Sequence, residues 1–344
     1  MRVQSKQSSR SDKTAHGLPV KIASNGSSLA PISPCRWARG RLGGKQLSAF
    51  LGNPMVATAA LPLLLGIVLA LLAQFALVSP SPVLTLFWSA LLLFFYGDTL
   101  GPPVIPPVAA SQKLIYLAFA GIVLGLTAGR MRGGRSMAVP GAAALLAAFL
   151  WLGWRRLAGG TFDAQMAAAL LVGLLVIAGG FMLLAQPASP SPSAEEPFLA
   201  PAAVLAVSLA GAIVSVLGAS IVTAQLLGSI AALTGGWCLV QYFAVLRGGV
   251  ANAWGRSLEF LALYAVSTAL MQVALLAPKA HPVALVLSAL PPLVAALVPG
   301  PLGGLVPSAR PSRPLVAGLL IAAPAGLAML VALIWAPHGA ALGY

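Results

Sequence analysis

The stretch FLAPAAVLAVSLAGAIVSVLGASIVTAQLLGSIAALTGGWCLVQYFAVL, from Phe198 to Leu246, contains no charged residue. As a single α-helix it would extend about 73 Å at 1.5 Å per residue, more than twice the thickness of the hydrocarbon core of a bilayer. The stretch therefore predicts two membrane-spanning helices. We expect the turn between them near ASIVTAQLLGS (219–229), where small and polar residues interrupt the apolar run.

The composition of the whole chain points the same way. Of its 344 residues 59% are hydrophobic and only 8% are charged, with a mean hydropathy of +0.94. Soluble domains are typically about 25% charged, so this chain has too few charges to cover a water-soluble surface of this size. The apolar runs do not alternate with polar residues, which argues against a membrane β-barrel. The sequence predicts an all-α polytopic integral membrane protein.

Further apolar segments flank the opening stretch on both sides. They cover residues 56–79, 83–96, 114–129, 138–154, 164–186, 258–277, 282–299 and 314–336. Together with the two spans above they predict a helical bundle of about ten apolar segments with nine or ten crossings. The Pro/Ser-rich loop QPASPSPSAEEPF (186–198) divides this transmembrane domain, 51–344, into the halves 51–186 and 198–344.

A short internal likeness connects the two halves. KLIYLAFA (113–120) can be laid on SLEFLALYA (257–265), and a tryptophan precedes each stretch, at Trp88 and Trp237. Five spans in each half would make the copies an inverted repeat, as in several secondary transporters. We take a 5+5 repeat as a hypothesis.

Residues 1–50 form a separate block that is rich in Ser, Lys, Arg and Gly. Nine of the 20 lysines and arginines lie there, and we expect a disordered basic tail whose partners are anionic lipid headgroups. No basic domain that would bind nucleic acid is visible. We expect the protein to lie in a bacterial inner membrane. Two alternatives are a transit peptide for an organelle membrane, because the tail is rich in Arg and Ser, and a true start at Met55.

The stretch YGDTLGPPVIPPVAASQK (96–113) is the hardest to place, because it carries two Pro-Pro pairs and little charge. If the tail is cytoplasmic and all ten segments cross, seven arginines of the short loops lie outside and four basic residues lie inside, against the positive-inside rule. The seven are Arg130, Arg132, Arg135, Arg247, Arg256, Arg310 and Arg313, and the four are Lys113, Arg155, Arg156 and Lys279. A re-entrant hairpin over 83–110 would remove one crossing and restore the rule. We therefore favour a partly membrane-embedded connector here, with an added crossing as the competing solution.

The ionisable residues of the apolar part lie at the ends of segments, and none lies in the middle of a span. Asp98, at the start of the Pro-rich stretch, and Glu259, at the start of an apolar helix, are the candidates of most interest. Proton relays need charged groups within the membrane, so a proton-coupled pump is disfavoured. Cys35 and Cys238 lie far apart, and no metal-ligand cluster, cofactor motif or catalytic motif is visible. The sequence predicts no metal and no cofactor, and it favours a role other than catalysis.

Neutral polar residues share helix faces in two neighbouring segments. Tyr264, Thr268 and Gln272 recur four residues apart and lie on one face. The preceding segment groups Thr234, Gln241 and Tyr242 near Cys238. Such faces can line a substrate path, or they can form hydrogen bonds between helices. A further stripe of small residues predicts helix packing: Ser208, Gly211, Ser215 and Ala219.

Prolines lie within several apolar segments, at Pro62, Pro140, Pro324 and the pair Pro291-Pro292. A proline inside a helix frees a backbone carbonyl, which neighbours or a water-filled cavity must satisfy. These positions predict interrupted helices, a feature of transporter sites.

The function that these observations favour is that of a small-molecule permease or exporter. Many spans, interrupted helices and polar helix faces support it. The alternative is a non-catalytic subunit or assembly factor of a membrane complex, or a homo-oligomer, which would use the same small-residue faces for packing. A lipid-processing membrane enzyme is the third hypothesis.

Overall fold

The computed structural model describes residues 56–75, 82–107, 109–130, 138–160, 162–185, 196–307, 309 and 312–336. Within these ranges the chain is helical and contains no β-strand. The basic tail and most of the loop 186–198 lie outside the described residues, and so do Arg132, Arg135 and Arg310.

A π-helical turn, Val56–Ala60, leads into the first of eleven α-helices in the described ranges. The helices are α1 Leu61–Gln74, α2 Pro82–Leu100, α3 Ala110–Arg130, α4 Ala138–Ala158, α5 Ala164–Leu184, α6 Glu196–Leu217, α7 Ile221–Leu246, α8 Arg256–Leu276, α9 Pro282–Ser288, α10 Pro291–Leu297 and α11 Ser312–Ile334. Seven of them are long and apolar enough to cross a membrane: α2, α3, α5, α6, α7, α8 and α11. The prediction of a multi-pass helical membrane protein is confirmed.

The charge-free stretch 198–246 forms two helices, as its length requires. α6 ends at Leu217 and α7 begins at Ile221, so the turn occupies residues 218–220, at the start of the predicted range. Ala219 adopts a positive φ of 65° in this turn. The turn is tight because the amide of Ser220 donates to the carbonyl of Ser215 at 2.8 Å.

Side-chain contacts show which helix ends meet. Lys113 of α3 bonds the carbonyl of Trp151 in α4 (2.7 Å), and Gln165 at the start of α5 bonds the carbonyl of Pro278 after α8 (3.2 Å). His281 before α9 stacks on Trp335 after α11. These residues lie at the same end of the bundle as the Pro-rich connector 101–109, which we call the connector end.

The opposite end carries the loop between α7 and α8. Asn252 of this loop donates to the side chain of Gln74 at the end of α1 (3.0 Å), and its backbone amide donates to Gln241 (2.8 Å). Successive segments thus alternate in direction, with α9 and α10 together taking the place of one segment. Basic residues are balanced between the ends within the described ranges: Lys113, Arg155, Arg156 and Lys279 at the connector end, and Arg130, Arg247, Arg256 and Arg313 at the other.

The re-entrant interpretation of residues 83–110 is wrong. α2 continues without a break from Pro82 to Leu100, which is long enough to cross a bilayer. Its buried face includes Leu92 and Tyr96, and the helix then continues through Asp98 and Thr99 to Leu100. Gly101, with a φ of +78°, ends the helix, and only then do the prolines follow.

The Pro-rich connector is non-helical, as predicted, but it lies on the surface. Residues 102–106 are exposed, and Tyr116 of α3 holds the segment by donating its hydroxyl to the carbonyl of Val104 (2.8 Å). The connector therefore joins two spans and adds no crossing of its own.

One of the predicted helix interruptions does not occur. Pro140 lies in the first turn of α4, where a missing amide hydrogen breaks no helical bond. Pro62 lies at a change of helix type, because the π-helical turn Val56–Ala60 is followed by α-helix from Leu61. Pro324 is accommodated inside α11, and only Pro291-Pro292 coincides with a break, between α9 and α10. The proposed 5+5 repeat stays a prediction.

α8 lies at the centre of the bundle. Its residues from Phe260 to Leu275 are buried on every side, and it packs against α3, α4, α5, α6 and α7. The central position of α8 makes its polar residues the natural starting point in the search for a site.

Candidate functional site

The polar face of α8 extends from its middle to the connector end. Tyr264, Thr268 and Gln272 lie on it as predicted, and all three are buried. Tyr264 fits beside Gly121 of α3, and its hydroxyl approaches the carbonyl of Ala144 in α4 (3.5 Å). The face is thus directed at the groove between α3 and α4. We call these three residues the α8 polar stripe.

The α8 polar stripe is closed in its middle and open at one end. Thr268 is fully buried, and its hydroxyl donates to the carbonyl of Ala265 one turn earlier (3.0 Å). Gln272, one turn further on, lies on the wall of a cavity of about 490 Å³. The stripe therefore begins at this cavity and continues into closely packed protein.

The cavity lies at the connector end, between the start of α3, the end of α4, the start of α7 and the end of α8. Its wall is made by Ala109, Ala110, Ser111, Lys113, Leu152, Gly153, Arg155, Arg156, Ala219, Ser220, Ile221, Val222, Thr223, Gln272, Leu275 and Leu276. Three of these are basic and none is a carboxylate. We call it the basic cavity.

Two of the three cations of the basic cavity are held by neighbours. Lys113 bonds the carbonyl of Trp151 and lies over its indole ring, 5.7 Å from the ring centroid. Arg156 forms an ion pair with Asp163 (3.3 Å) and donates to Gln165 (3.0 Å). Asp163 in turn caps α5 by accepting from the amide of Met166 (3.0 Å). This network fixes the end of α4 against the start of α5.

Arg155 differs from its two neighbours. It is exposed at the rim of the basic cavity, and its guanidinium makes no hydrogen bond or ion pair with any described residue. As a residue of the last turn of α4 it also complements the negative end of that helix. Its guanidinium remains available to a ligand.

The start of α7 supplies further hydrogen-bond donors to the basic cavity. The first amides of a helix have no partner inside it, and no side chain caps α7. The hydroxyl of Ser220 instead donates to that of Thr223 (3.0 Å). The positive end of the α7 dipole therefore faces the same space as Lys113 and Arg155.

Gln272 closes the inner side of the basic cavity. Its side chain is only 3% exposed, and its amide oxygen has no hydrogen-bond partner among the described residues. A buried polar group without a partner costs free energy, so Gln272 is a polar position on the inner wall that helix packing leaves incompletely satisfied.

The polar residues predicted on α7 do not join this site. Gln241 accepts from the backbone of Asn252 at the opposite end, whereas Thr223 at the start of α7 lines the basic cavity. Eighteen residues of helix separate Gln241 from Thr223, which is about 27 Å. Thr234 is fully buried with no partner for its hydroxyl in the described ranges, and Tyr242 is half-buried.

The two predicted acidic candidates also lie apart from the basic cavity. Asp98 is exposed in the last turn of α2, and Glu259 is half-buried in the first turn of α8, at the opposite end of that helix from Gln272. Three of the eight substrate-path candidates therefore form the α8 polar stripe, which reaches the basic cavity at Gln272. The other five do not line this cavity.

The small-residue stripe of α6 is buried up to the end of the helix. Ser208 and Ser215 are fully buried, and the absence of a side chain at Gly211 leaves room for Leu227 and Leu270. Ser215 donates to the carbonyl of Gly211 (2.6 Å). Ala219 lies beyond the helix, exposed in the turn and on the wall of the basic cavity.

Two features of the site lie outside the sequence-based prediction. The basic residues Lys113, Arg155 and Arg156 serve there as topology signals, although their position at helix ends is also suited to a binding site. The spacing Gly121-xxx-Gly125-xxx-Gly129 in α3 is a close-packing motif, and it contacts α8 at Tyr264 and Ser257. This motif brings α3, and with it Lys113, close to the α8 polar stripe.

No cluster of three or more His, Cys, Asp or Glu side chains occurs in the part of the chain that the structure describes. Comparisons with protein-family models, curated proteins and solved structures find no match to the chain.

Proposed function

We propose that this protein is a small-molecule permease or exporter, in which the basic cavity admits substrate and the α8 polar stripe continues the path across the membrane. The observation that carries the proposal is the position of Gln272. It belongs both to the wall of the cavity and to the polar stripe of the central helix. The bacterial inner membrane is the proposed location.

The closed packing around Thr268 supports a carrier rather than an open channel. A carrier exposes its site to one side of the membrane at a time, by movement of helices around that site. In the conformation described here the basic cavity is accessible from the connector end, and Thr268 is sealed from it. Transport then requires a second conformation in which the stripe opens toward the opposite end.

This proposal predicts that a cysteine at position 268 can be reached by water-soluble reagents from both sides of a membrane. The variant is Thr268→Cys in a background with Cys35→Ser and Cys238→Ser, reconstituted in sealed liposomes. The measurement is its rate of labelling by a small membrane-impermeant methanethiosulfonate, added outside or trapped inside. We expect labelling from either side, because alternating conformations expose the stripe in turn.

Two matched variants make the labelling result interpretable. Ser111→Cys, on the wall of the basic cavity, should react readily from the connector end alone. Ala269→Cys is as buried as Thr268 but turned about 100° away from the stripe, so it should stay unlabelled. If Ser111→Cys reacts and Thr268→Cys is inert from both sides, the carrier proposal fails. Co-purification with a stoichiometric partner would then favour the assembly-subunit alternative.

A further inference from the structure

We infer that the basic cavity binds an anionic group, a phosphate or a carboxylate. The inference names the substrate class of the proposed carrier, and in that respect it rests on the proposed function. Binding itself can be measured without transport.

The charge of the cavity wall is the first observation behind this inference. Lys113, Arg155 and Arg156 line the cavity, no carboxylate lines it, and Asp163 is paired with Arg156. The wall thus keeps a positive excess, and Arg155 has no described partner of its own. Guanidinium groups form paired hydrogen bonds with phosphate and carboxylate oxygens, which suits Arg155 to this role.

The uncapped start of α7 is the second observation. Ile221, Val222 and Thr223 carry the amides that have no partner within the helix, and all three residues line the cavity. Helix N-termini bind phosphate and carboxylate groups through such amides and through the helix dipole. Here they face the same space as the cations of α3 and α4, so the two contributions act on one ligand.

Gln272 is the third observation, and it concerns the inner wall of the cavity. Its buried side chain lines the cavity, and its oxygen has no partner among the described residues. The amide group of a glutamine also carries two N–H donors, which can bind the oxygens of an anion. The wall also includes Leu152, Leu275 and Leu276, which can pack against a short carbon chain. A cavity of about 490 Å³ accommodates a small organic molecule of this kind.

Glycerol 3-phosphate is a suitable probe, because it combines a phosphate group with hydroxyls and is also the headgroup chemistry of phosphatidylglycerol. Binding to the full-length protein is measured by titration calorimetry in an uncharged detergent at low salt. We expect saturable binding to the wild type that Arg155→Gln weakens about tenfold and Lys113→Gln/Arg155→Gln weakens about a hundredfold. Arg247→Gln removes an equally exposed arginine at the opposite end and should leave binding unchanged.

Gln272 is tested by the nearly isosteric Gln272→Leu. This variant should weaken binding of glycerol 3-phosphate and of inorganic phosphate alike, because the amide group donates to the anion that the two probes share. Unchanged binding of both probes would show that Gln272 does not belong to the anion site. The apparent melting temperature of each variant is measured alongside, so that a folding defect is recognised.

A second arm separates a free solute from a lipid headgroup. The protein is placed in nanodiscs of phosphatidylcholine with or without phosphatidylglycerol, and retained lipid is counted by native mass spectrometry. The site binds a lipid if the protein retains phosphatidylglycerol, if Lys113→Gln/Arg155→Gln loses it, and if glycerol 3-phosphate does not displace it. The site binds a free anion if glycerol 3-phosphate displaces the lipid. Both results support an anion site. Absence of binding in both arms, or equal effects of Arg155→Gln and Arg247→Gln, overturns the inference.

The two proposals fail separately. If Thr268→Cys is labelled from both sides but no anion binds, the carrier stands and the substrate class is wrong. If the anion binds and Thr268→Cys is inert, the anion site stands and the transport role is wrong.

Discussion

Replacing Gly236 by alanine is expected to separate α1 from α7 and to destabilise the bundle by about 3 kcal/mol, at the upper end of what overpacking costs. The two helices cross with their backbones in contact. A Cβ at Gly236 would meet the carbonyl oxygen of Leu63 and lie 2.9 Å from the amide nitrogen of Ile67. Both obstacles are backbone atoms, so a change of rotamer cannot relieve them, and one helix must shift.

The same crossing contains a second glycine that makes the prediction stronger. A Cβ at Gly66 of α1 would meet the backbone of Leu233 in α7. Gly66→Ala should therefore lower stability by a similar amount. Because both variants push apart the same pair of helices, the double variant should cost less than the sum of the two single changes.

Gly228 provides the matched control on α7. A Cβ at this position would meet no heavy atom within 4 Å. Gly228→Ala should be neutral, or stabilising by up to about 1 kcal/mol, since alanine favours a helix more than glycine does. The measurement is the apparent melting temperature in detergent, followed by the loss of monodisperse protein on size-exclusion chromatography. Equal melting temperatures for Gly236→Ala and Gly228→Ala would show that α1 and α7 do not pack as described.

The helices could be predicted closely because the bilayer imposes a length. A run without charge is either one span or two, and the stretch 198–246 could only be two. The exact turn was less accessible, because a tight turn at 218–220 requires only small residues and looks like the rest of the run. The end of α2 is hard to predict from the sequence for a different reason. Asp98 and Thr99 are polar and suggest a loop, yet α2 continues through both to Leu100, and the Thr99 hydroxyl donates to the carbonyl of Phe95 (2.7 Å).

The site was only partly predictable. The α8 polar stripe follows from spacing alone, since residues four apart share a helix face. That Gln272 reaches a cavity, and that Lys113, Arg155 and Thr223 surround it, depends on how four helices are arranged. Nothing in their spacing along the chain brings these residues together. A charge at a segment end can serve topology or binding, and the arrangement of helices decides which.

Replacing Trp254 by alanine is expected to be about as damaging as any single change in the described part of the chain, at about 3–5 kcal/mol. Trp254 lies in the loop between α7 and α8 and is only 4% exposed. Its ring packs edge-on against Trp88 of α2 (6.1 Å between centroids) and against Trp237 of α7 (6.4 Å). The one side chain thus joins two helices to the loop that leads into the central helix.

In a membrane the apolar surroundings remove much of the hydrophobic gain, so van der Waals contact between well-fitted side chains must hold the helices together. Trp254→Ala forfeits that contact on two sides and leaves a cavity that α2 and α7 cannot both close. Trp254→Phe should restore part of the stability, because a smaller ring keeps one of the two edge contacts. Trp154→Ala, at a tryptophan that is 65% exposed, serves as the control and should change the melting temperature little. If Trp254→Ala and Trp154→Ala have the same apparent melting temperature, the contacts of Trp254 with Trp88 and Trp237 do not hold α8 in place.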